Sequence, residues 1–496
     1  MSETHFLHDF LNPKSIAFYG ANNRGNSLAA IQIMNLIKSG YDGAIYPIHL
    51  KSDSVMGFKA YKSILDLPEV PDLVVIVLAA KIVPQIFKEC GEKGIKRIIV
   101  ISGGFREITG DHKNTFTEEI KEIASQYGMR FIGPNCLGVF NNWYGSNKAF
   151  NTAIWENIAQ GNFSIASQSG TLSSQIWFDP NSLDLGLSKS ISVGNEANID
   201  IVDCLEYYKS DVNTKVIGLY IEELKRGKRF LELAREITLK KPIIAIYAGG
   251  SEAGNRALQS HTGALAGDLR IFEGVFKEAG IIRSDYVQEF LDIAMILSRG
   301  ILPKGNRIGI ITNSGGPGAM AANNAEKKGL LVPELSGSLQ KELKKVLPLN
   351  GSSKNPVDCA FDMNLPYFYV ELPEILMKSG EIDVIVQYGV VGFQDVLEDY
   401  LKNERIAPYA EFQHQSVEVM DNLAQELILP TLENSKKYSI PILYINPMSF
   451  TSPWSIRLRK NGAILFQLWD RPINALAKVC EYIKYKQNRN LAIGVS

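Results

Sequence analysis

Short apolar runs alternate with amphipathic stretches along most of the chain. The run SIAFYG at 15–20 is followed by a turn and by the helix-like stretch SLAAIQIMNLIKSG, which ends at Gly40. The alternation continues through AIYPIHL, DLVVIVLAA and KRIIVIS, and RFIGPNCLGVF closes this first unit near residue 140. Strands this apolar need helices on both faces. The pattern predicts βαβ units with parallel sheets, an α/β fold, and a Rossmann-like domain over 1–140.

Two further units show the same alternation. One opens with NFSIASQSG at 162–170, the other opens near 305 with RIGIITNSGGPGAM, and LPKGN between them is interpreted as a linker. Both openings combine a strand, a Ser/Gly turn and a helix start. We therefore expect two related flavodoxin-like domains, at 141–300 and 301–496. The stretch 401–437 is predicted to be mainly helix, and we assign no function to it.

Length, charge and cysteine usage narrow the class of protein. A chain of 496 residues is too long for one hydrophobic core and agrees with about three domains. Its 52 lysines and arginines nearly balance 53 aspartates and glutamates, so we expect neither a nucleic-acid partner nor a membrane-surface partner. Five cysteines form no CxxC pair, and no apolar run is long enough to span a membrane. These features favour a cytoplasmic protein without a disulfide framework or a zinc site.

Three strand–turn–helix junctions are candidates for anion binding, because a helix start offers free N–H groups and the positive end of a dipole. They are YGANNRGNS at 19–27, ASQSGT at 166–171 and TNSGGPGA at 312–319. The first lacks both the G-x-G-x-x-G dinucleotide fingerprint and the lysine of a P-loop. For each junction the alternative is an ordinary turn or N-cap, where Ser and Thr are favoured anyway. Together they favour a phosphorylated ligand.

One of six histidines, His261, lies among small and hydroxyl-bearing residues in ALQSHTGALAGD. A structural or merely exposed histidine is one interpretation. Zinc binding is disfavoured because no Cys or second His lies nearby, and no G-x-S-x-G elbow precedes the segment. The remaining hypothesis is a nucleophile or acid–base catalyst on a mobile loop. A neutral imidazole can accept a phosphoryl group, and a carboxylate on its other nitrogen would fix the tautomer.

The segment SHTGALAGD closely resembles the phosphohistidine loop of the NDP-forming acyl-CoA synthetases, and the chain more broadly resembles the α subunit of succinyl-CoA synthetase. Seven motifs occur in the family's order: IGPNCLGV, SQSGT, SVGNEANID, LYIEE, SHTGALAG, TNSGGPGAM and NPVD. The resemblance runs from SIAFYGAN to RPINALAKVCEYIKY, nearly the whole chain. It implies an N-terminal CoA-binding domain followed by two succinyl-CoA synthetase-like flavodoxin domains.

The resemblance also implies roles for individual residues. His261 would be transiently phosphorylated and Glu222 would pair with it, while Glu196 and Asn135 would line the substrate pocket. The phosphoryl group would be held by Ser167, Ser169, Gly170 and Thr171. No metal ligands are expected on this chain.

The CoA site is expected on turns of the first domain. The contacts that the resemblance implies are Gly20, Asn22, Arg24, Asn26, Ser27, Lys51, Ala79, Ala80, Ser102, Gly103 and Cys136. For Cys136, a buried packing role is an alternative, since nothing in the sequence indicates a depressed pKa. PIHLK at 47–51 departs from the family's Asn-Pro before the lysine, and FYG departs from its aliphatic residue before the glycine. Both departures touch the CoA site and leave its exact contacts open.

The implied reaction converts acyl-CoA, phosphate and ADP reversibly into a small carboxylic acid, CoA and ATP, through an acyl phosphate and a phosphohistidine. No Walker motif or ATP-grasp domain is visible. In the family this domain is either fused to the chain or carried by a separate β subunit, and the resemblance to an α subunit implies that ADP, ATP and Mg²⁺ bind to a separate ATP-grasp β subunit in an α₂β₂ assembly. The acyl group, the physiological direction and the choice of ADP or GDP stay open.

Two other functions compete with this one. One is an acyl- or carbamoyl-transferring relative without nucleotide chemistry, against which the intact SHTGALAG and Glu222 weigh. The other is a nicotinamide oxidoreductase, which the broken glycine fingerprint and the missing acidic residue after AIYPIHLK disfavour.

Overall fold

In the computed structural model, the described residues form three large sheets whose strands are mostly parallel. The structure describes residues 4–108, 115–146, 148–153, 158–175, 185–262, 267–362, 364–389, 400, 402–409 and 417–492. These residues fall into two compact units, Met1–Ala294 and Met295–Ser496.

The first sheet lies in the first unit and confirms the strands expected near the N-terminus. Its strands and the small hairpin beside it are β1 (Ser15–Tyr19), β2 (Ala44–Ile48), β3 (Ser54–Val55), β4 (Phe58–Lys59), β5 (Leu73–Ile76), β6 (Arg97–Val100) and β7 (Arg130–Ile132). The sheet order is β2-β1-β5-β6-β7 with all neighbours parallel, while β3 pairs only with β4. The helices are α1 (Leu7–Leu11), α2 (Leu28–Lys38), α3 (Val83–Lys93) and α4 (Phe116–Tyr127), with 3₁₀ turns at Ile64–Asp66 and Ala80–Ile82.

The second sheet also lies in the first unit. Its strands are β8 (Val139–Gly145), β9 (Lys148–Asn151), β10 (Gln160–Ser167), β11 (Leu187–Ser192), β12 (Val216–Ile221), β13 (Ile243–Tyr247) and β14 (Ile282–Arg283), in the order β14-β13-β12-β10-β11-β8-β9. β8 runs antiparallel to β11 and β9, so a hairpin extends the parallel sheet. The helices are α5 (Gly170–Gln175), α6 (Ile201–Ser210), α7 (Gly227–Thr238), α8 (Glu252–Thr262), α9 (Leu269–Ala279) and α10 (Val287–Ser298).

The third sheet lies in the second unit. Its strands are β15 (Ile308–Thr312), β16 (Val357–Asp358), β17 (Val384–Tyr388), β18 (Ile442–Ile445) and β19 (Ile464–Phe466), in the parallel order β16-β15-β17-β18-β19. The helices are α11 (Gly315–Lys327), α12 (Gly337–Leu343), α13 (Leu372–Ser379), α14 (Val417–Tyr438), α15 (Pro453–Lys460) and α16 (Asp470–Ala492), with a π-helical turn at Tyr367–Glu371 and a 3₁₀ turn at Ala407–Tyr409.

All three sheets share one strand order. When the parallel strands of each sheet are counted along the chain, the order is 2-1-3-4-5, which is that of flavodoxin-like folds. This confirms the prediction of an α/β fold with two related flavodoxin-like sheets after the first one. In this arrangement the strand order reverses between the first and third strands. Ligands of such folds bind at this switch point, outside the carboxyl ends of the strands.

The two sheets of the first unit share a hydrophobic core. One buried cluster contains Phe18 and Ile33 from the first sheet and its helix α2, Phe150 from the hairpin, and Ile191 and Phe230 from the second sheet and α7. The strands themselves are buried on both faces, since all five residues of β1 and all four of β5 are buried. The carboxyl edges of both sheets are therefore fixed within one packed unit.

The structure bears on two further expectations. The stretch 401–437, predicted to be mainly helix, contains the helix Val417–Tyr438 and a 3₁₀ turn at Ala407–Tyr409; residues 401 and 410–416 lie outside the described residues. The predicted boundary at 140 falls inside β8, which pairs with the second sheet, so the chain changes sheets between Ile132 and Val139. The domain limits stay a prediction. Of the described residues, no helix is both long and apolar enough to cross a membrane.

Candidate active site

The loop after β1 approaches its neighbour very closely. Gly20 has φ of +90°, and a Cβ at this position would lie 2.1 Å from the carbonyl oxygen of Val77, at the end of β5. Only glycine fits such a turn. Further along the loop, Asn22 Oδ1 accepts the N–H of Arg24 at 2.7 Å, and Ser27 caps the start of α2. Arg24 and Asn26 are exposed, so the loop presents a cation and an amide at the sheet's switch point.

The other predicted CoA residues lie at the same edge of the first sheet, because the carboxyl ends of parallel strands meet there. Ser102, after β6, accepts the N–H of Leu78 at 3.0 Å with its hydroxyl, and its carbonyl accepts the N–H of Asn135 at 2.9 Å. These bonds join the loops after β5, β6 and β7. The predicted residues on these loops and on the loop after β2 are Lys51, Ala79, Ala80, Ser102 and Gly103.

His49 explains how the unusual PIHLK turn is built. Its Nδ1 accepts the backbone N–H of Lys51 at 3.2 Å and that of Ser52 at 2.9 Å. An asparagine side chain makes the same kind of bond in an Asx turn, so the His49 ring closes a turn of that type here. Leu50 is 80% exposed beside Lys51. His49 thus holds the turn that carries Lys51 at the expected CoA edge.

Cys136 has the surroundings of a packing residue. Its side chain is buried, and its Sγ lies 3.2 Å from the carbonyl oxygen of Val100. Burial raises the pKa of the Cys136 thiol to about 12, so the thiolate is not formed near neutral pH. All five cysteines of the chain are buried free thiols.

The junction between β10 and α5 brings together the four residues expected to hold a phosphoryl group. The Ser167 hydroxyl donates to the carbonyl of Ser169 at 2.6 Å, and the Ser169 hydroxyl accepts the N–H of Leu172 at 3.3 Å. A Cβ on Gly170 would lie 2.6 Å from Cγ of Leu137, so glycine permits the close packing there. Thr171 is exposed at the helix start.

Glu222 directly follows β12. This strand is the neighbour of β10, and the strand order of the sheet reverses between the two. Glu222 is buried, with 5% of its surface exposed. The end of β13 is joined to the same place, because the N–H of Ala248 donates to the carbonyl of Ile221 at 2.9 Å. The next residue, Glu223, forms an ion pair with Nη1 of Arg106 at 2.5 Å. Arg106 lies on the loop after β6 of the first sheet. An ion pair between the two sheets thus flanks Glu222.

Glu196 lies on the loop after β11 in a strained and buried setting. Its φ is +52°, rare for a residue with a side chain, and it is 4% exposed. Its Oε1 accepts the N–H of Ile201 at 2.8 Å. Burial raises the pKa of Glu196 to about 8, although the nearby Lys225 ammonium acts in the opposite direction. The carboxyl group is therefore largely protonated at neutral pH.

Asn135 and Glu196 belong to one pair of touching loops. Nδ2 of Asn135 lies 3.4 Å from Oδ1 of Asn195, and a Cβ on Gly194 would lie 2.5 Å from the Asn135 carbonyl oxygen. Nζ of Lys225 donates to the carbonyls of Asn195 at 2.9 Å and Glu196 at 2.6 Å. The structure thus places the two predicted pocket residues on adjoining loops, between the edges of the two sheets.

Gln168 was missed by the sequence analysis although it lies inside SQSGT. Its Oε1 accepts the N–H groups of Glu222 and of Glu223, the second at 3.1 Å, and its Nε2 donates to the Glu223 carbonyl at 3.0 Å. Since these partners lie more than fifty residues away in sequence, a signal within the motif was not available.

Position 261 lies in the last turn of α8, which corrects the expected loop. The helix runs from Glu252 to Thr262 because its residues include good helix formers such as Ala257 and Leu258, with an acidic residue in the first turn. The glycines of the motif begin only at 263, and residues 263–266 lie outside the described residues.

Both ends of the histidine segment are fixed at the carboxyl end of β13. Ala248 bonds to Ile221 as described, and the Tyr247 hydroxyl donates to the carbonyl of Gly267 at 3.0 Å. Tyr247 also stacks on Phe272 with ring centroids 3.8 Å apart. The segment from 248 to 267 therefore leaves and returns to the sheet edge that carries Glu222.

Comparison with known proteins gives the same order of domains. Residues 14–142 match the family model of a CoA binding domain, and residues 160–297 match that of the succinyl-CoA ligase like flavodoxin domain.

Curated relatives include both separate subunits and longer chains. The α subunit of ADP-forming acetate–CoA ligase II of Pyrococcus furiosus is 40% identical over 382 residues, which are 77% of this chain and 82% of that protein. An ADP-forming acetate–CoA ligase of Methanocaldococcus jannaschii is 41% identical over 350 residues, which are 71% of this chain and 48% of that protein. The chain thus spans most of the subunit but about half of the longer protein.

Solved structures share the fold almost from end to end. The dinucleotide forming acetyl-coenzyme A synthetase 1 of Ca. Korarchaeum cryptofilum, in complex with phosphate and ADP, has a TM-score of 0.83 and 27% identity, over 99% of this chain and 100% of that chain. A Pyrococcus horikoshii crystal structure has a TM-score of 0.79 and 32% identity, over 97% of this chain and 99% of that chain.

Proposed function

This chain belongs to the family of ADP-forming acyl-CoA ligases, as an α subunit, and we propose that it carries the acyl-CoA and phosphohistidine half of their reaction. In the energy-conserving direction, acyl-CoA, phosphate and ADP give a carboxylic acid, CoA and ATP. The substrates we propose for this chain are CoA thioesters of small carboxylic acids, because the relatives named above act on acetate.

The proposed chemistry proceeds in three balanced steps. An oxygen of phosphate attacks the thioester carbon, the C–S bond breaks, and acyl phosphate and CoA result. A ring nitrogen of His261 attacks the phosphorus, so the N–P bond forms as the bond to the carboxylate oxygen breaks. An oxygen of ADP then attacks the same phosphorus, which breaks the N–P bond and gives ATP and free histidine.

Each group of residues has a proposed part. Glu222 orients the imidazole of His261, and the N–H groups and hydroxyls of 167–171 stabilise the phosphoryl oxygens. Protonated Glu196 and Asn135 line the acyl-phosphate pocket between the two sheet edges. CoA lies along the carboxyl edge of the first sheet, where exposed Arg24 and Lys51 face its phosphates and the 20–27 loop supplies further N–H groups.

The nucleotide site is proposed to lie on a partner chain. An ATP-grasp β subunit would hold ADP, ATP and Mg²⁺, in an α₂β₂ assembly in the cytoplasm. The subunit naming of the P. furiosus relative supports a partner chain. The M. jannaschii relative, of which this chain covers about half, has room for such a part in the same polypeptide.

One observation carries the proposal. Buried Glu222 is bonded through its backbone to the 167–171 segment, at the sheet edge where the histidine segment begins and ends. A histidine segment, a buried carboxylate and a hydroxyl-rich helix start then meet at one edge, which is the set of groups that phosphoryl transfer through histidine requires.

The test uses the chain purified together with its β subunit. The complex is incubated with phosphate and a panel of acyl-CoAs without nucleotide, and peptides are examined by mass spectrometry under alkaline conditions, which preserve phosphohistidine. We expect phosphate on His261, none in His261→Ala, and loss of the label when ADP is added, with formation of ATP. The most effective thioester names the acyl group.

Two results of this test would contradict the proposed function. If CoA binds but no thioester labels His261, and label from ATP is also absent, the chain is an acyl-transferring relative and the proposed mechanism is wrong. An ADP-dependent reaction by the chain alone would instead overturn the proposed partner.

A further inference from the structure

Gln168 connects the segments whose chemistry the proposed function combines. It is 5% exposed, and its own N–H donates to the carbonyl of Tyr220 at 3.2 Å, as in the parallel ladder between β10 and β12. After Tyr220, the side chain of Gln168 makes the hydrogen bonds to the backbone that follows β12. The amide oxygen accepts two N–H groups and the amide nitrogen donates to one carbonyl, so the amide pairs with the backbone of Glu222 and Glu223.

The amide also acts on the loop after β11. Its interaction with Glu196 lowers the pKa of that carboxyl group, against the larger upward effect of burial. One residue between the two serines of SQSGT thus bonds the backbone that carries Glu222 and influences the carboxyl group of Glu196. The segments concerned come from three neighbouring strands, β10, β11 and β12.

We propose that Gln168 is a positioning residue, which sets the Glu222 backbone relative to the 167–171 segment and so aligns the carboxylate with the imidazole of His261 that receives the phosphoryl group. The inference rests on the proposed function. A hydrogen-bonded amide fixes the direction as well as the distance of its partners. Misplacement of a reacting group by about 1 Å can cost about 100-fold in rate.

The first test replaces the amide by a side chain of similar shape without hydrogen-bonding groups. In the complex with the β subunit, Gln168→Met is expected to slow phosphohistidine formation about 100-fold, with less than about a 2-fold change in the apparent affinity for acyl-CoA, because CoA lies on the first sheet. The matched control is Gln32→Met. Gln32 is fully buried in the same unit and donates to the Thr152 carbonyl at 2.6 Å, so its bond does not involve the 167–171 segment.

The second test provides a readout that a purely structural role would not move. In Gln168→Glu, an ionised carboxylate can still accept the two N–H groups but cannot donate to the Glu223 carbonyl. A protonated carboxylic acid can do both. We therefore expect this variant to regain phosphohistidine formation as the pH falls, relative to wild type at each pH. Gln168→Met should show no such recovery.

The outcomes separate this inference from the proposed function. If wild type forms phosphohistidine while Gln168→Met does so equally fast, Gln168 is not a positioning residue and the proposed function stands. If Gln168→Met and Gln32→Met lose stability, CoA affinity and rate together, the role is structural and the inference is wrong. Absence of phosphohistidine in wild type removes the proposed function itself.

Discussion

Two junctions of this chain have nearly the same backbone but different chemical surroundings. At β10–α5 the Ser167 hydroxyl donates to the Ser169 carbonyl at 2.6 Å, and at β15–α11 the Thr312 hydroxyl donates to the Ser314 carbonyl, also at 2.6 Å. In both cases the next residue bonds a tyrosine carbonyl at 3.2 Å on the neighbouring strand, Tyr220 or Tyr388.

The surroundings differ on both neighbouring strands. In the first junction Ser192 ends β11, whereas in the second Asp358 ends β16 at the corresponding place, with its Oδ2 3.1 Å from the Cβ position of Gly315. After β12 come two glutamates, whereas glycine follows β17. The second helix start already has a carboxylate of its own chain beside it, while the first has a neutral hydroxyl.

The comparison teaches that the fold supplies the turn and the neighbouring strands supply the chemistry. A hydroxyl that closes a strand–helix turn is a structural device, since it recurs where no buried glutamate follows. A candidate phosphoryl site is better recognised by which charges the two adjacent strands deliver to the turn. Changes to those charges should therefore have larger effects than changes to the turn.

The largest effect is expected from Glu222→Gln, which removes the carboxyl group that distinguishes the first junction. The amide keeps the size of the side chain but cannot stabilise a cationic imidazole or select its tautomer in the same way. Phosphohistidine formation should fall by about 1,000-fold or more in single-turnover measurements, with unchanged CoA affinity. A loss below 10-fold would mean that Glu222 does not pair with His261.

A smaller loss, about 100-fold in phosphohistidine formation, is expected from Ser192→Asp. This change gives the first junction the carboxylate of the second, which repels a phosphoryl group at the helix start. Ser192→Asn, of equal size but uncharged, is the control, since the Ser192 hydroxyl also accepts the N–H of Leu137 at 3.0 Å. Equal losses in both variants would assign the effect to packing instead of charge.

Glu196→Gln should give a pH-dependent difference. The folded protein keeps the proton on Glu196 up to about pH 8, whereas an unfolded glutamate loses it near 4.5. The free energy of unfolding of wild type should therefore fall, relative to the variant, as the pH rises from about 4.5 to about 8, and then level off. Melting temperatures of both proteins across this range measure the difference, and parallel curves would contradict a buried neutral carboxyl group.

The smallest effects are expected from the shared turn itself. Ser167→Ala loses one donated bond, whereas Thr312→Val also loses the acceptor of the Ser314 N–H, at 2.9 Å. We expect losses of about 1 kcal/mol for Ser167→Ala and about 2 kcal/mol for Thr312→Val in urea unfolding. Equal losses, or a larger one for Ser167→Ala, would show that the bond from the Ser314 N–H to Thr312 adds no stability.

The sequence predicts the fold well because buried parallel strands leave a clear trace. The run LVVI is apolar throughout, SIAFY is apolar after its first residue, and the structure buries every residue in both. The hairpin β8–β9 was not predicted, since NNWYGSNKAF is mostly polar and its strands pair antiparallel at the edge of the sheet. Apolar periodicity carries little information where half of a strand faces polar partners.

The candidate site is only partly predictable for a different reason. The sequence motifs identify Glu222 and the 167–171 segment. The role of the Gln168 amide, however, depends on its bonds to backbone groups more than fifty residues away. The same holds for Glu196, whose raised pKa comes from burial that the fold creates. Local composition also misled at position 261, because the residues before the first glycine of the motif continue a helix.

The bond between Tyr247 and Gly267 also sets a limit on how far the histidine can reach. Position 261 precedes Gly267 by six residues, and a fully extended chain of that length spans about 20 Å. While the tyrosine holds the carbonyl, the histidine backbone stays inside a sphere of about that radius, so two places that it serves lie at most about 40 Å apart. Delivery over a longer distance would need release of the tyrosine or movement of the sheet edge as a whole.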